Sequence, residues 1–352
     1  MSPLAIVRLV CAVVVLASTA VGVFVFGRAV ATIVNRMRVG RPVPRERLRP
    51  VGRRLVRMLG EVVGHTAFKG RPWIRAAHWL VMVSFPLLFL TLVTGYGQVL
   101  AHPAWELPWL GRQAWWAWVV ELIAWLSTAG ILHMIAVRRR RTRRGAADPP
   151  FPDAEESATR PRTSRFAGSS AAQAHFVEAV VAGVVACVLV LRMLEHARLA
   201  VSEDAAERAL ACWTHFPLTA WSGPLLEPLG STGLAIAITV VATIKVVVSM
   251  SWFVVVGLQP SMGVAWHRFL AFVNLYARRS TDGTKALGPA EPLLLPDGRP
   301  LTAETMDDLD DAMEAAEESG GEVTLGVGRI QDFTWKGLLD FSTCTECGRC
   351  QD

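Results

Sequence analysis

Charged side chains are missing from long stretches of this chain. They make up 19% of its 352 residues and gather in a few segments, with apolar runs between them. Tyrosine is nearly absent as well, two residues against thirteen tryptophans, while 52% of the chain is hydrophobic and mean hydropathy is +0.36. The length would permit two or three soluble domains, but this distribution excludes them and describes a polytopic membrane protein. A net charge of +6 does not indicate nucleic acid, because the arginines cluster beside apolar spans, where they set membrane orientation. Cysteine is scarce, at six. Cys11, Cys187 and Cys212 are scattered, and the first two sit in apolar runs as small hydrophobes. The other three cluster at the C-terminal end, where a metal site is favoured over a disulfide.

Five apolar runs are long enough, or nearly so, to cross a bilayer as helices: residues 9–27, 76–99, 115–137, 176–191 and 230–257. The fourth is the shortest, and its far end carries Arg192, Glu195 and Arg198. Nine arginines lie between Arg36 and Arg57, and Arg138 to Arg141, Arg143 and Arg144 follow the third span. The loop after the second span holds only Glu106 and Arg112, and the loop after the fourth is acidic on balance. This asymmetry places the chain in the cell membrane as a multi-pass protein, N-terminus outside, arginine-rich loops and C-terminal region cytoplasmic. A cleaved signal peptide is disfavoured because only Arg8 precedes the first apolar run.

The expected fold is an all-α membrane protein of five transmembrane helices. Residues 1–35 hold the first helix, 36–72 a basic amphipathic cytoplasmic segment, and 73–258 a four-helix transmembrane bundle with a polar linker at 138–172. An interfacial helix and an acidic linker occupy 259–332, and residues 333–352 lead into the cysteines. Apolar residues at 51, 55, 58, 59, 62 and 63 predict a surface helix over Val51 to Phe68. A second interfacial helix is predicted from Met262 to Arg279, and a short one around Ala303 to Glu318.

Cys344, Cys347 and Cys350 are spaced two residues apart. An iron–sulfur cubane needs a thiolate on each iron, and this spacing lets one turn of backbone supply three of the four. The fourth cysteine does not follow, so the expected 4Fe-4S cluster has an incomplete ligand set and the chain reads as a fragment or a truncated product. Paired CxxC motifs of structural zinc sites are not what this pattern shows.

Eight histidines are present, and those at span ends suggest one or two b-type haems, each needing an imidazole on either face. His78 lies three residues inside Arg75 on the second span, about 4–5 Å deep at the helical rise. His133 lies five residues inside Arg138 on the third, about 7–8 Å deep by the same rise. Depth therefore matches these two. His65 and His267 are on the same side but in surface segments, while His102, His196 and His215 are on the outer side and His175 begins the fourth span. Lys245 sits near the centre of the fifth span, where a charge is tolerated when it meets a partner inside the bundle. Candidate partners are a haem propionate, a quinone oxygen or Glu121.

The string from Asp332 through Cys350, with Gly64-His65-Thr66, Ala77-His78-Trp79, Thr94-Gly-Tyr-Gly-Gln98 and Gly263-Val-Ala-Trp-His267, resembles a family of fused membrane oxidoreductases of actinobacteria. In that family a cytochrome b region similar to the gamma subunit of respiratory nitrate reductase precedes a ferredoxin-like domain and heterodisulfide-reductase-like iron–sulfur domains. The resemblance implies electron transfer between cytoplasmic iron–sulfur or flavoprotein donors, such as electron transfer flavoprotein, and membrane menaquinone. It favours His65, His78 and His267 as haem-side residues, with His215 as a weaker fourth, and gives His133 no support. It also makes residues 333–352 the start of a ferredoxin-like 4Fe-4S domain. The rival expectations are a non-redox anchor with a terminal cysteine metal site and a transporter using Lys245. No residue pattern points to bond-making on a substrate.

Overall fold

The computed structural model describes residues 2–68, 70–145, 171–278, 293–323 and 325–345. Helix is the dominant element, and no named strand occurs among the described residues. In order these helices are α1 (Pro3–Val39), α2 (Val51–Gly64), α3 (Pro72–Leu100), α4 (Ala114–Gly145), α5 (Ala171–Ala200), α6 (Ala205–Leu210), α7 (Gly223–Leu226), α8 (Gly230–Leu258), α9 (Gly263–Tyr276), α10 (Met306–Glu318) and α11 (Trp335–Thr343). Five segments are long and apolar enough to cross a membrane: α1, α3, α5, the Ala114–Arg140 part of α4 and the Ala220–Leu258 stretch that ends with α8. These coincide with the five apolar runs, and each helix extends past the run that announced it.

The chain divides into two compact units, one containing Met1–Ala29 and His65–Ala265, the other Val30–Gly64 and Trp266–Thr345. In the first, α3, α4, α5 and α8 form the bundle, with α5 packed most extensively on α8 and α3 on α4. Leu92, Leu191, Leu194, Leu234, Ile238 and Val246 meet in its main apolar core. A second cluster gathers Trp116, Val120, Val185 and Val188 between α4 and α5. The N-terminal part of α1 joins this unit through the Thr19 hydroxyl, 2.6 Å from the Tyr96 hydroxyl, and through Phe26 edge-on to Phe253. Leu9, Val13 and Phe24 of α1 are exposed, the outward apolar face that a hydrocarbon solvent accepts without cost.

The fourth span differs from its expected limits. Hydropathy ends it at Leu191, yet α5 continues unbroken to Ala200. Arg192 does not terminate the helix because its charge is met inside the unit, as described below.

In the second unit, α2 is held by Arg54, a buried guanidinium whose Nη1 donates to the carbonyls of Tyr276 and Arg278 at 3.2 and 2.7 Å. These are carbonyls that the end of α9 leaves without helical partners. Desolvation, partly offset by Tyr276, holds the Arg54 guanidinium below its ordinary value. Glu61 accepts from Arg57 at 3.0 Å and from Arg278 at 2.8 Å. Val51, Leu55, Val56, Leu59 and Val63 of α2 stay exposed, an apolar stripe suited to a membrane surface.

Candidate functional site

Two polar sites lie in the first unit, towards opposite ends of α3. The first surrounds His78. His65 follows directly on α2 and takes φ +48°, a left-handed conformation uncommon for a side chain-bearing residue. That turn brings its ring back to α3, where His65 Nε2 and His78 Nδ1 are 2.8 Å apart. Phe68 stacks on the His65 ring at 5.7 Å and lies 5.1 Å from His78. The contact uses Nδ1 of His78, as when a second residue fixes the tautomer and ring plane of a histidine. The chemistry of a haem ligand fits His78. His65 and His78 cannot serve as the two axial ligands of one iron in this arrangement, because facing nitrogens at hydrogen-bond distance leave no room for a metal between them.

The second site is a buried charged cluster. Glu121 on α4 has no exposure and accepts from Arg192 Nε at 3.1 Å, from the Leu218 amide at 2.8 Å and from the Thr219 hydroxyl at 2.6 Å. Arg192 also donates from Nη1 to Glu195 at 2.9 Å and from Nη2 to the carbonyl of His215. Its guanidinium lies 4.1 Å over the Phe216 ring. Gln98 Nε2 donates to Glu195 at 2.7 Å. Lys245, 2% exposed, donates to the Thr91 carbonyl at 2.6 Å.

The Thr94-Gly-Tyr-Gly-Gln98 string explains how this cluster fits. A Cβ on Gly95 would stand 3.0 Å from Lys245 Cε, and one on Gly97 would stand 2.0 Å from the Trp105 ring. Both glycines therefore clear space, while Tyr96 and Gln98 between and after them reach α1 and Glu195. A cleft lined by Thr91, Gln98, Trp116, Arg192, Glu195 and Lys245 opens beside them. Of the proposed partners of Lys245, Glu121 is taken by Arg192, and Glu195 lines the same cleft as the lysine.

The remaining candidates are dispersed. His133 is exposed on α4, although Gly130, one turn earlier, packs against the Ala77 carbonyl beside His78. His267 is half-buried on α9, in the second unit. His215 Nδ1 lies 3.2 Å from the Thr214 hydroxyl and 3.5 Å from Cys212 Sγ. Burial raises the Cys212 thiol, but hydrogen bonds from Thr214 and His215 together outweigh it and bring it to about 7.

Cys344 is exposed at the end of α11, and Cys347 and Cys350 lie outside the described residues. Within the second unit α11 is firmly seated. The Arg41 amide donates to the Phe333 carbonyl at 2.8 Å and the Trp335 amide to the Arg41 carbonyl at 2.9 Å. Asn274 bridges Asp340 and Thr343 at 2.7 and 2.6 Å. Lys336, 4% exposed, donates to Asp340 at 2.5 Å. Among the described residues no group of three or more histidine, cysteine or acidic side chains converges as a metal site.

The described residues are dominated by helix, and five segments are long and apolar enough to cross a membrane, consistent with a membrane protein. No family model matches it, and no solved structure does. Among curated proteins, 29 residues are 59% identical to the EtfAB:quinone oxidoreductase of Syntrophomonas wolfei subsp. wolfei (strain DSM 2245B / Goettingen). The match spans 8% of this chain and 4% of that protein's length.

Proposed function

We propose that this chain is the membrane-embedded electron-transfer part of a quinone-linked oxidoreductase. It would move electrons between cytoplasmic iron–sulfur or flavoprotein donors, electron transfer flavoprotein among them, and menaquinone in the bilayer. The observation that carries this reading is the 59% identity over 29 residues to a protein named for EtfAB and quinone. Five apolar helices are compatible with it, as is an oriented histidine near the start of α3.

In this proposal His78 would hold one b-type haem, and His65 would orient the His78 ring through their hydrogen bond. His267 and His133 would be the other candidate haem-holding residues, with His215 as a weaker fourth. Bound haem supplies one-electron transfer at a potential set by axial ligands and burial. The chain fixes that position by placing His78 on a long, well-packed helix. Cys344, Cys347 and Cys350 are proposed ligands of a 4Fe-4S cluster on the cytoplasmic side.

The test is a reduced-minus-oxidised visible spectrum with haem and iron quantitation of purified wild type, His78→Ala, His267→Ala and His133→Ala. Loss of the haem bands in His78→Ala and in one of the other two is expected. A wild type without a Soret band but with stoichiometric zinc overturns the reading in favour of a non-redox anchor. Unchanged haem in His78→Ala overturns the ligand assignment.

A further inference from the structure

The cleft around Lys245 contains a buried polar atom without a partner. Gln98 is 1% exposed, lines the cleft, and spends its amide nitrogen on Glu195. Its Oε1 is buried without a hydrogen-bond partner, a state that costs free energy and is rare unless something else satisfies it. In the same lining, Lys245 carries three N–H groups, and its hydrogen bond goes to the Thr91 carbonyl. The cleft thus sets a charged donor and an open acceptor on walls that include Trp116, Val120, Val188 and Leu191.

The charges decide what kind of ligand fits. Lys245 and Arg192 are balanced by Glu195 and Glu106 in the lining, two cations against two carboxylates. A net charge of zero offers no advantage to a phosphate or a haem propionate and suits a neutral molecule. Apolar walls that include a tryptophan suit a ring. Donor and acceptor together suit a group that is a carbonyl in one state and a hydroxyl in another, since Lys245 can donate to the first and Gln98 Oε1 can accept from the second.

We infer that the cleft between Lys245 and Gln98 binds the headgroup of a quinone, distinguishing its oxidised form through Lys245 and its reduced form through Gln98. The inference rests on the quinone-linked reading above. It adds a location, about 20–30 Å along α3 from His78 at the helical rise between Thr91 and Gln98, and two specificity-determining residues.

Isothermal titration of the full chain in lipid nanodiscs with menadione and with its reduced form, menadiol, tests it. One saturable site is expected in the wild type. Lys245→Met should weaken menadione about tenfold or more, the scale of one hydrogen bond to a charged group. Gln98→Leu should weaken menadiol more than menadione. Lys245→Arg should retain part of the menadione affinity, and it carries the test if Lys245→Met does not elute as a folded species. Unchanged affinities in Lys245→Met and Gln98→Leu overturn the inference, as does loss of haem rather than of menadione binding in Lys245→Met. Haem bands without any menadione site overturn this inference alone. Menadione binding that depends on Lys245 in a haem-free chain upholds it and overturns the haem route.

Discussion

Glu121 meets three donors in a site closed to solvent: Arg192, the Thr219 hydroxyl and the Leu218 amide. A buried ion set of this kind is tolerable only because every member is paired, and removing one member leaves another charge buried and unmatched. Glu121→Leu is therefore expected to destabilise the chain by roughly 3–5 kcal/mol, read as a lower unfolding midpoint in detergent. At the other end of α3, His65 acts on His78 through one hydrogen bond. His65→Ala should weaken haem retention about 10–100-fold, the usual effect of losing an orienting partner, and His65→Asn should restore part of it. A purely structural role for His65 would lower stability without moving the haem affinity.

Helix ends show what local composition can and cannot announce. The first, second, third and fifth spans are legible because a run of apolar residues needs no partner to declare itself. The fourth was cut short at Arg192, since hydropathy counts a charge against the membrane wherever its partner lies. The α11 segment illustrates a different coupling. Its entry turn is held by Asp332, which sits 2.5 Å from Arg41. The hydrogen bond from the Arg329 amide, helped by the Gly328 amide and by Arg41, outweighs desolvation and holds the Asp332 carboxyl below the usual carboxylate range. A depressed folded value means that its stabilisation is complete above the ordinary aspartate value of about 3.9 and is lost as pH falls through the lower folded one. Asp332→Asn should accordingly be less stable than wild type at pH 7, and the difference in melting temperature should shrink below about pH 4. A gap that stays constant down to pH 2 would rule out this linkage.

For the molecule as a whole, the arginine-rich segments predict sidedness, and labelling can check it. Single cysteines introduced in a cysteine-free background at Glu106 and Asp204 should react with a membrane-impermeant maleimide in intact cells. One at Arg53 should react only after permeabilisation, and the reverse pattern would invert the proposed topology. The all-helical architecture, the number of long apolar helices and the loops that carry charge were determined by the sequence alone, because each is a property of neighbouring residues. Lys245 stood out for the same reason, as a charge within an apolar run. Only the tertiary structure decided that Gln98, Glu121, Arg192, Glu195 and Lys245 share one site and that His65 turns back onto His78, while His133 faces outward. Those residues come from four helices and the turn after α2, and which of them meet depends on helix rotation and close approach at glycines such as Gly95 and Gly130, which no local pattern encodes.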